Sequence, residues 1–346
     1  MIGLHQLLAL PFSLPFLLAL LVSLLSPYIV KPLLQRAGVI DVPNERSSHE
    51  SVAIRGMGIS IAAAIVIGFL AAAGFTVMGD GQLILVVCSL VALAAATLGW
   101  LEDIRGVSVK VRAAVQLGIG LLGTAGLILV TGQNWMWLVA GAVAVAAYIN
   151  VVNFMDGLDG ISGLHAVVVG LAFAVAGMLT PSNWLTIAGL VIAAAGAGFL
   201  PWNMGKGLVF MGDVGSYVLG GTIAIVSVGA FLDGVKVEYI FSPTLIYLAD
   251  TAYTLVKRAR EGKAWYVSHR EHVYQRITDL GVSRLGSALI VTAFSVGTSV
   301  LGILAAAGQI GVSIGATILC IVLIIAYLSL PGFLAKRRAD QSEQPA

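Results

Sequence analysis

Eleven stretches of predominantly apolar residues, each about as long as the 20 residues that a helix needs to cross a hydrocarbon core, dominate this sequence. They fall near residues 7–30, 58–78, 82–100, 112–131, 135–152, 161–180, 184–201, 215–232, 238–256, 286–308 and 311–330, separated by charges, Pro/Asn clusters or Gly-Asp turns. Lipid offers a peptide backbone no hydrogen-bond partners, so runs of this length specify helices. Of the 346 residues 59% are apolar and only 10% charged, whereas a soluble domain carries about 25% charge. The expected fold is therefore all-α, a polytopic integral membrane protein of about 11 transmembrane helices. It forms a single transmembrane domain over 1–335 with a disordered tail at 336–346. The same composition excludes nucleic-acid binders and ordinary cytosolic enzymes. The N-terminus lacks a basic region, and its apolar run exceeds the roughly 7–15 residues of a signal-peptide core, so it reads as a retained first span.

Alternation of eleven spans puts the loops after the first, third, fifth, seventh and ninth on the same face as the C-terminal tail. That face carries 18 of the 19 Lys and Arg residues, leaving only Lys236 opposite. Basic loops favour the cytoplasm, which makes this face cytoplasmic, with the N-terminus external and the C-terminus cytoplasmic. Loops on the other face, such as 78–82, 132–134 and 308–311, are too short for an external domain. Cys88 and Cys320 lie inside apolar runs, which suits small buried hydrophobes rather than a disulfide or a thiolate metal site.

Carboxylates gather at span ends on the basic face, although an Asp at the bilayer centre costs about 2.5–3.5 kcal/mol on insertion scales. Glu102 and Asp103 end the third span, Asp156 and Asp159 follow the fifth, Asp213 precedes the eighth, and Asp250 lies in the last turns of the ninth. In NFMDGLDGISG, 153–163, Asp156 and Asp159 stand three residues apart among glycines that permit a tight turn. Either both carboxylates face one spot, or Asp159 caps the sixth span while Asp156 stands in solvent. In GKGLVFMGDVGSYVLG, 205–220, Asp213 suits a hard cation such as Mg2+, which takes few carboxylates and keeps water or phosphate oxygens. Alternatively Asp213 or Ser216 caps the eighth span; Lys206 adds phosphate-attracting charge. In LGWLEDIRGVSVKVR, 98–112, adjacent Glu102 and Asp103 raise one another's pKa, which suits a proton acceptor. A solvated loop would explain the neighbouring Arg105, Lys110 and Arg112 but not the acidic pair.

The longest polar loop, 257–284, contains SHREHVYQR. A helix there puts His269, His272 and Arg276 on one face, a set that suits a pyrophosphate better than a transition metal because a guanidinium sits among the imidazoles. Arg270 lies between the two histidines. The first basic-face loop, DVPNERSSHESVAIRGMG at 41–58, carries Arg46, His49 and Arg55 and reads as a ligand-binding loop or an interfacial linker. Phosphate-loop, dinucleotide and zincin patterns do not occur. Acidic and basic groups on one membrane face fit a Mg2+-assisted reaction between phosphorylated molecules, one of them a lipid.

The motifs DVPNERSSH, LEDIRGVSVKVR, NFMDGLDGISG, FMGDVGS and HREHVYQR, in this order on alternate loops over about 41–285, resemble those of the polyprenyl-phosphate N-acetylhexosamine-1-phosphate transferases, glycosyltransferase family 4. The chain looks closer to the O-antigen-initiating branch, similar to undecaprenyl-phosphate GlcNAc-1-phosphate transferases. The resemblance implies that 1–335 is catalytic, in the inner membrane of a bacterium with its active site cytoplasmic. A UDP-N-acetylhexosamine would donate sugar-1-phosphate to undecaprenyl phosphate, releasing UMP, with Mg2+ required and Mn2+ as a substitute. By motif, Asp213 and Asp156 would be metal ligands, and Asn153, Asp156 and Asp159 would shape the metal and nucleotide pocket. Glu102, Asp103, Asp156 and Asp159 form the catalytic carboxylate set. Lys110 would bind phosphate, and His269, His272 and Arg276 would hold the donor's diphosphate or sugar. Arg46, His49, Arg55, Lys206 and Arg270 complete the substrate-binding set. The family commonly has Asp-Asp where this chain has Glu102-Asp103. The peptidoglycan branch, which transfers phospho-MurNAc-pentapeptide, has adjacent histidines where His269 and His272 are separated here. No nucleic-acid partner is expected, and a homodimer is left open.

A phosphate monoester attacking a diphosphate brings two anions together, so cations must neutralise the transition state. The second pKa of a phosphate monoester, roughly 6, leaves a base little to do, which favours direct in-line attack over a covalent carboxyl-phosphate intermediate. An ion-coupled transporter would carry charges near span centres, and the fourth, sixth, seventh, tenth and eleventh spans have none. A structural scaffold would not require several loops each bearing carboxylates or imidazoles.

Overall fold

The computed structural model describes residues 10–41, 53–75, 77, 79–205, 209–264 and 269–342. The first apolar run is α1 (Leu10–Leu25), continued by α2 (Pro27–Arg36). A short antiparallel pair, β1 (Ile40–Asp41) and β2 (Ala53–Ile54), sets Ile40 opposite Ile54 and Asp41 opposite Ala53. Then come α3 (Ile59–Phe75), α4 (Asp80–Arg105), α5 (Val109–Thr131), α6 (Trp137–Met155), α7 (Ile161–Leu179), α8 (Asn183–Asn203) and α9 (Gly212–Leu232). The segment α10 (Val237–Phe241), a 3-10 turn at Ser242–Thr244 and α11 (Leu245–Arg260) form one interrupted rod. The short α12 (Val273–Asp279) precedes α13 (Arg284–Ala307) and α14 (Ile310–Ser342).

All eleven apolar runs are helical, and the all-α expectation holds. Among the described residues nine helices are long and apolar enough to cross a membrane. The two runs that fall short of that measure are α3, with 17 residues, and the interrupted rod, where Pro243 lies in the 3-10 turn and has no N–H to continue a helical ladder. At the C-terminus α14 continues through 336–342, a segment read from the sequence as disordered tail. Lys, Arg, Ala and Gln there are good helix formers, and they extend the last span by about two turns.

Small residues hold the helices together. α7 and α8 meet backbone to backbone in antiparallel register, Gly163 against Gly196, Gly170 against Gly189 and Gly177 against Thr186, and a Cβ at any of these glycines would run into the opposite chain. Lipid is as apolar as Leu, so close approach of this kind drives helix association. The most enclosed helix is α9, buried along nearly its whole length, while Leu122, Leu129, Ile318 and Val322 point outward.

Two further glycine contacts fix the site end of α9. Gly99 of α4 lies against the backbone of Asp213 and Val214, and Gly58, just before α3, lies against Gly215. At the opposite end Asp233 accepts from Ser182 Oγ (2.6 Å) and Trp184 Nε1 (2.8 Å). There Lys236 donates to the carbonyl of Ala306 (2.7 Å), one of the last carbonyls of α13, which have no partner inside the helix.

Candidate active site

Residues 53–58 run beside 209–211. Ile54 bridges Val209 in parallel, Phe210 N donates to Ile54 O (2.8 Å), Met57 N to Phe210 O (3.2 Å) and Gly58 N to Met211 O (2.8 Å). This seam delivers Arg55 to the start of α9. Its Nε donates to Asp103 Oδ1 and its Nη2 to Asp213 Oδ2, both at 2.6 Å.

The side chain of Asp103 is fully buried, and its two oxygens also accept the N–H groups of Asp213 (2.9 Å) and Val214 (3.0 Å). A carboxylate of α4 thus caps α9, satisfying N–H groups that a helix start leaves without partners and complementing its positive end. Gly212 enters this arrangement with φ +72°, where a side chain would be strained and a Cβ would press on Asp103. From α6, Asn153 Nδ2 donates to Asp213 Oδ1 (2.6 Å) and to Ser216 Oγ (3.1 Å). Four elements therefore meet at Asp213: the β2 seam, α4, α6 and α9.

Glu102 does not face Asp103, because neighbours on a helix diverge by about 100°. Its Oε2 accepts Val107 N (2.8 Å) and its Oε1 accepts Arg112 Nη1 (3.3 Å). The expectation of a mutually perturbing pair is corrected: the two carboxylates sit in separate networks. Asp103 is a fixed anchor, with both oxygens engaged, and Glu102 stands beside Arg112 as the other carboxylate. Lys110 lies exposed in the first turn of α5.

Asp156 follows the last residue of α6 and is half-buried. Burial, with the charges of Asp213, Asp159 and Asp103, pushes its carboxyl up to about 7. Asp159 pairs through Oδ2 with Arg284 Nη2 (3.1 Å) at the start of α13. Asn203 ties this turn to the seam, accepting from Gly160 N (2.6 Å) and donating to Val209 O (2.9 Å). The capping alternatives are not adopted: the cap positions of α7 and α9 fall on Gly160 and Met211, not on Asp159, Asp213 or Ser216, and neither supplies a side-chain cap.

The expected helix over 269–276 starts late. α12 begins at Val273, leaving His269 and Arg270 in the preceding loop, so the one-face arrangement with Arg276 is replaced by another. The rings of His269 and His272 stack, with centroids 5.0 Å apart and planes 20° apart, and Phe154 lies 6.0 Å from His272 and 6.3 Å from His269. Tyr274 OH donates to Phe154 O (3.0 Å), fastening α12 to the last turn of α6, next to Asn153. Arg276 is half-buried in α12, whereas Arg270 reaches out toward Asp279 (3.8 Å). Arg46, His49 and Lys206 lie outside the described residues. The sequence reading missed Arg112, Asn203 and Arg284 as site neighbours; Arg112 was visible as a cation ten residues after Glu102, the other two only through the fold.

Among the described residues no three His, Cys, Asp or Glu side chains close on one point, so these residues do not by themselves build a complete metal cage. Mg2+ does not require one, because it binds through one or two carboxylates and completes its shell with water and phosphate oxygens. Asp213 and Asp156, two carboxylates at the centre of a charge cluster that already raises Asp156, fit such a cation.

Fold and site together define a polytopic membrane protein whose helix ends gather carboxylates, guanidinium groups and imidazoles at one rim of the bundle. Residues 83–230 match glycosyl transferase family 4. Over 298 residues the chain is 28% identical to the "Probable undecaprenyl-phosphate N-acetylglucosaminyl 1-phosphate transferase" of Bacillus subtilis (strain 168), covering 79% of this chain and 80% of the relative. It is 26% identical over 307 residues to the undecaprenyl-phosphate alpha-N-acetylglucosaminyl 1-phosphate transferase of Escherichia coli (strain K12), covering 80% and 79%. A phospho-N-acetylmuramoyl-pentapeptide-transferase of Nostoc sp. is 27% identical over 286 residues, covering 72% and 74%. Over 83–230 the chain is thus similar to glycosyl transferase family 4, and over about four-fifths of its length to these transferases.

Proposed function

We propose that this protein transfers an N-acetylhexosamine-1-phosphate, of GlcNAc or a 6-deoxy relative, from a UDP-sugar to undecaprenyl phosphate. UMP leaves, and the undecaprenyl-pyrophosphoryl-sugar product begins an O-antigen or another cell-surface polysaccharide. The reaction takes place at the cytoplasmic face of a bacterial inner membrane, with the N-terminus external and the C-terminus cytoplasmic. The observation that carries this reading is the junction at Asp213, where Arg55 and Asn153 grip one carboxylate from two sides within reach of the charge of Asp156. The substrates are taken from the names of the relatives.

In the reaction an oxygen of the lipid phosphate bonds to the phosphorus that carries the sugar, and the bond from that phosphorus to the bridging oxygen breaks, leaving UMP. Asp213 and Asp156 would hold Mg2+, which when bound withdraws charge from the diphosphate. Asp103 keeps Arg55 aligned and α9 capped, so that Arg55 and Asn153 hold Asp213 in one orientation. Lys110 and Arg276 supply positive charge to the phosphates, and His272 orients the donor. Glu102, held by Val107 N and a longer contact to Arg112, rather than Asp103, held by Arg55 and two N–H groups of α9, accepts a proton when the lipid phosphate arrives as a monoanion. No side chain is required as a covalent carrier, and trapping of a phosphorylated Asp or Glu would refute direct attack.

The test is UMP release by purified protein with undecaprenyl phosphate and Mg2+ or Mn2+, across UDP-GlcNAc, UDP-QuiNAc, UDP-FucNAc and UDP-MurNAc-pentapeptide. Turnover of an N-acetylhexosamine donor, abolished by EDTA, is expected. Turnover of the pentapeptide donor alone would move the protein to the peptidoglycan branch, and silence across the panel would remove the transferase reading.

A further inference from the structure

Beneath α12 lies a carboxylate that the proposed reaction does not use. Asp250 of α11 is fully buried, and five donors converge on it. Oδ1 receives His272 Nδ1 (3.0 Å), Val273 N (3.0 Å) and Thr254 Oγ1 (3.3 Å); Oδ2 receives Tyr274 N (3.3 Å) and the Tyr327 hydroxyl (2.6 Å). Backbone N–H groups only donate, and Val273 and Tyr274 set one on each oxygen of Asp250. With both oxygens accepting from backbone N–H groups, Nδ1 of His272 is the donor in its contact with Oδ1.

A helix cap would account for the bonds to Val273 and Tyr274. It would not account for the imidazole on the same oxygen, nor for a phenol brought from α14, 77 residues further along the chain. Nδ1 is the ring nitrogen turned to Asp250, which places Nε2 on the far side of the ring. The ring that bears it stacks with His269 and Phe154, one residue from the Asn153 that grips Asp213. A second carboxylate or carbonyl behind an imidazole is a recurrent way to fix its tautomer and orientation.

We infer that Asp250 and Tyr327 are positioning residues for His272: they hold its ring with Nδ1 protonated and leave Nε2 to meet a phosphate oxygen of the donor. The inference rests on the proposed transferase reading for its ligand, a nucleoside-diphosphate sugar, but not for its geometry. With Nδ1 committed to Asp250, Nε2 and the phosphate oxygen share one proton, donated by whichever of the two carries it. It also brings α14, outside the segment matched to the family, into the working of the site.

Histidine-selective 15N labelling of the full-length protein in detergent, read by long-range 1H–15N correlation, reports the tautomer of neutral imidazoles directly. Loss of one signal in His272→Gln identifies the residue. The wild type is expected to show the Nδ1–H form, and Asp250→Asn, whose amide can donate to Nδ1, to show Nε2–H. An Nε2–H tautomer in the wild type would overturn the inference. In turnover assays Asp250→Asn is expected to lose about 100-fold in kcat/KM for the UDP-sugar. Tyr327→Phe is expected to lose about 3–10-fold, and both variants keep the KM for undecaprenyl phosphate. Should Asp250→Asn fail to fold, Tyr327→Phe, which keeps its ring against Phe294 (5.5 Å), decides alone: unchanged donor kinetics with an unchanged His272 signal defeat the proposal. A wild type that releases no UMP from any donor removes the transferase reading, while the tautomer still decides the positioning role.

Discussion

Asp213 concentrates the residue-scale chemistry. Asn at this position keeps the shape and one acceptor for Arg55 or Asn153 but removes the charge that a divalent cation needs. Asp213→Asn is accordingly expected to lose turnover by about 100-fold or more while still extracting as folded protein; wild-type rates would rule out its role as a ligand. Arg55→Ala acts differently, leaving the buried Asp103 without its cation. Breaking a fully buried pair costs about 3–5 kcal/mol, but the Arg55 side chain is 37% exposed, so solvent screening reduces the expected loss to about 1–3 kcal/mol, readable as a lower Tm in detergent. Asp156 gives a pH signature. Its folded carboxyl, at about 7, lies above the unfolded value of about 3.9, so its stabilising contribution is complete below about pH 3.9 and fades as pH rises through about 7. Metal-free protein is expected to melt lower at pH 8 than at pH 6, with Mg2+ restoring more at pH 8. Asp156→Asn is expected to lose this difference, and a variant that retained it would assign the effect elsewhere.

At the scale of elements, the clamp on α9 depends on the absence of two side chains. A Val at Gly58 or a Leu at Gly99 has no space against Gly215 or against the backbone of Asp213. Overpacking costs about 1–3 kcal/mol, and here it also pulls Asp103 away from the N–H groups it caps. Gly99→Leu is expected to lose activity out of proportion to its fall in Tm, whereas overpacking in the α7–α8 seam, as in Gly170→Leu, is expected to lower Tm with less effect on the surviving activity. The spans themselves were legible because a bilayer demands long apolar helices, and the carboxylate-bearing turns were legible because charge at a span end stands out. What could not be read is the pairing of distant pieces. Two-residue strands carry no periodicity, so the seam of 53–58 with 209–211 left no pattern, and nothing in LEDIR announces that Asp103 caps a helix 110 residues away. Glu102 and Asp103 looked like a pair in one dimension and are separated by the turn of α4. The start of α12 was set too early because HREH has no helix-start signal that outweighs its even spacing. Asp250 was visible as a carboxylate, but its partner Tyr327 looked like one more aromatic in the last span.

For the whole molecule, the partition of 18 cations against one argues for an orientation that chemistry can check. Single cysteines at Asp80 and Asp279, in a Cys88→Ser, Cys320→Ser background, are expected to react with an impermeant maleimide from opposite sides of sealed vesicles, Asp279→Cys from the cytoplasmic side. Reaction of both from one side would dismantle the bundle's polarity and the proposed access of a cytoplasmic donor. The lone cation of the far face, Lys236, spends its charge on the Ala306 carbonyl, so its exception to the bias has a local cause. The bonds that make the rim span long sequence distances: Arg55 waits for Asp213, and Asp250 waits for Tyr327. A ribosome that has delivered the ninth apolar run to the bilayer has already made every site carboxylate, yet both His272 and the Tyr327 that supports it are still to come. A chain cut before position 327 is therefore expected to insert but to hold His272 poorly, because Asp250 then lacks the hydroxyl of α14.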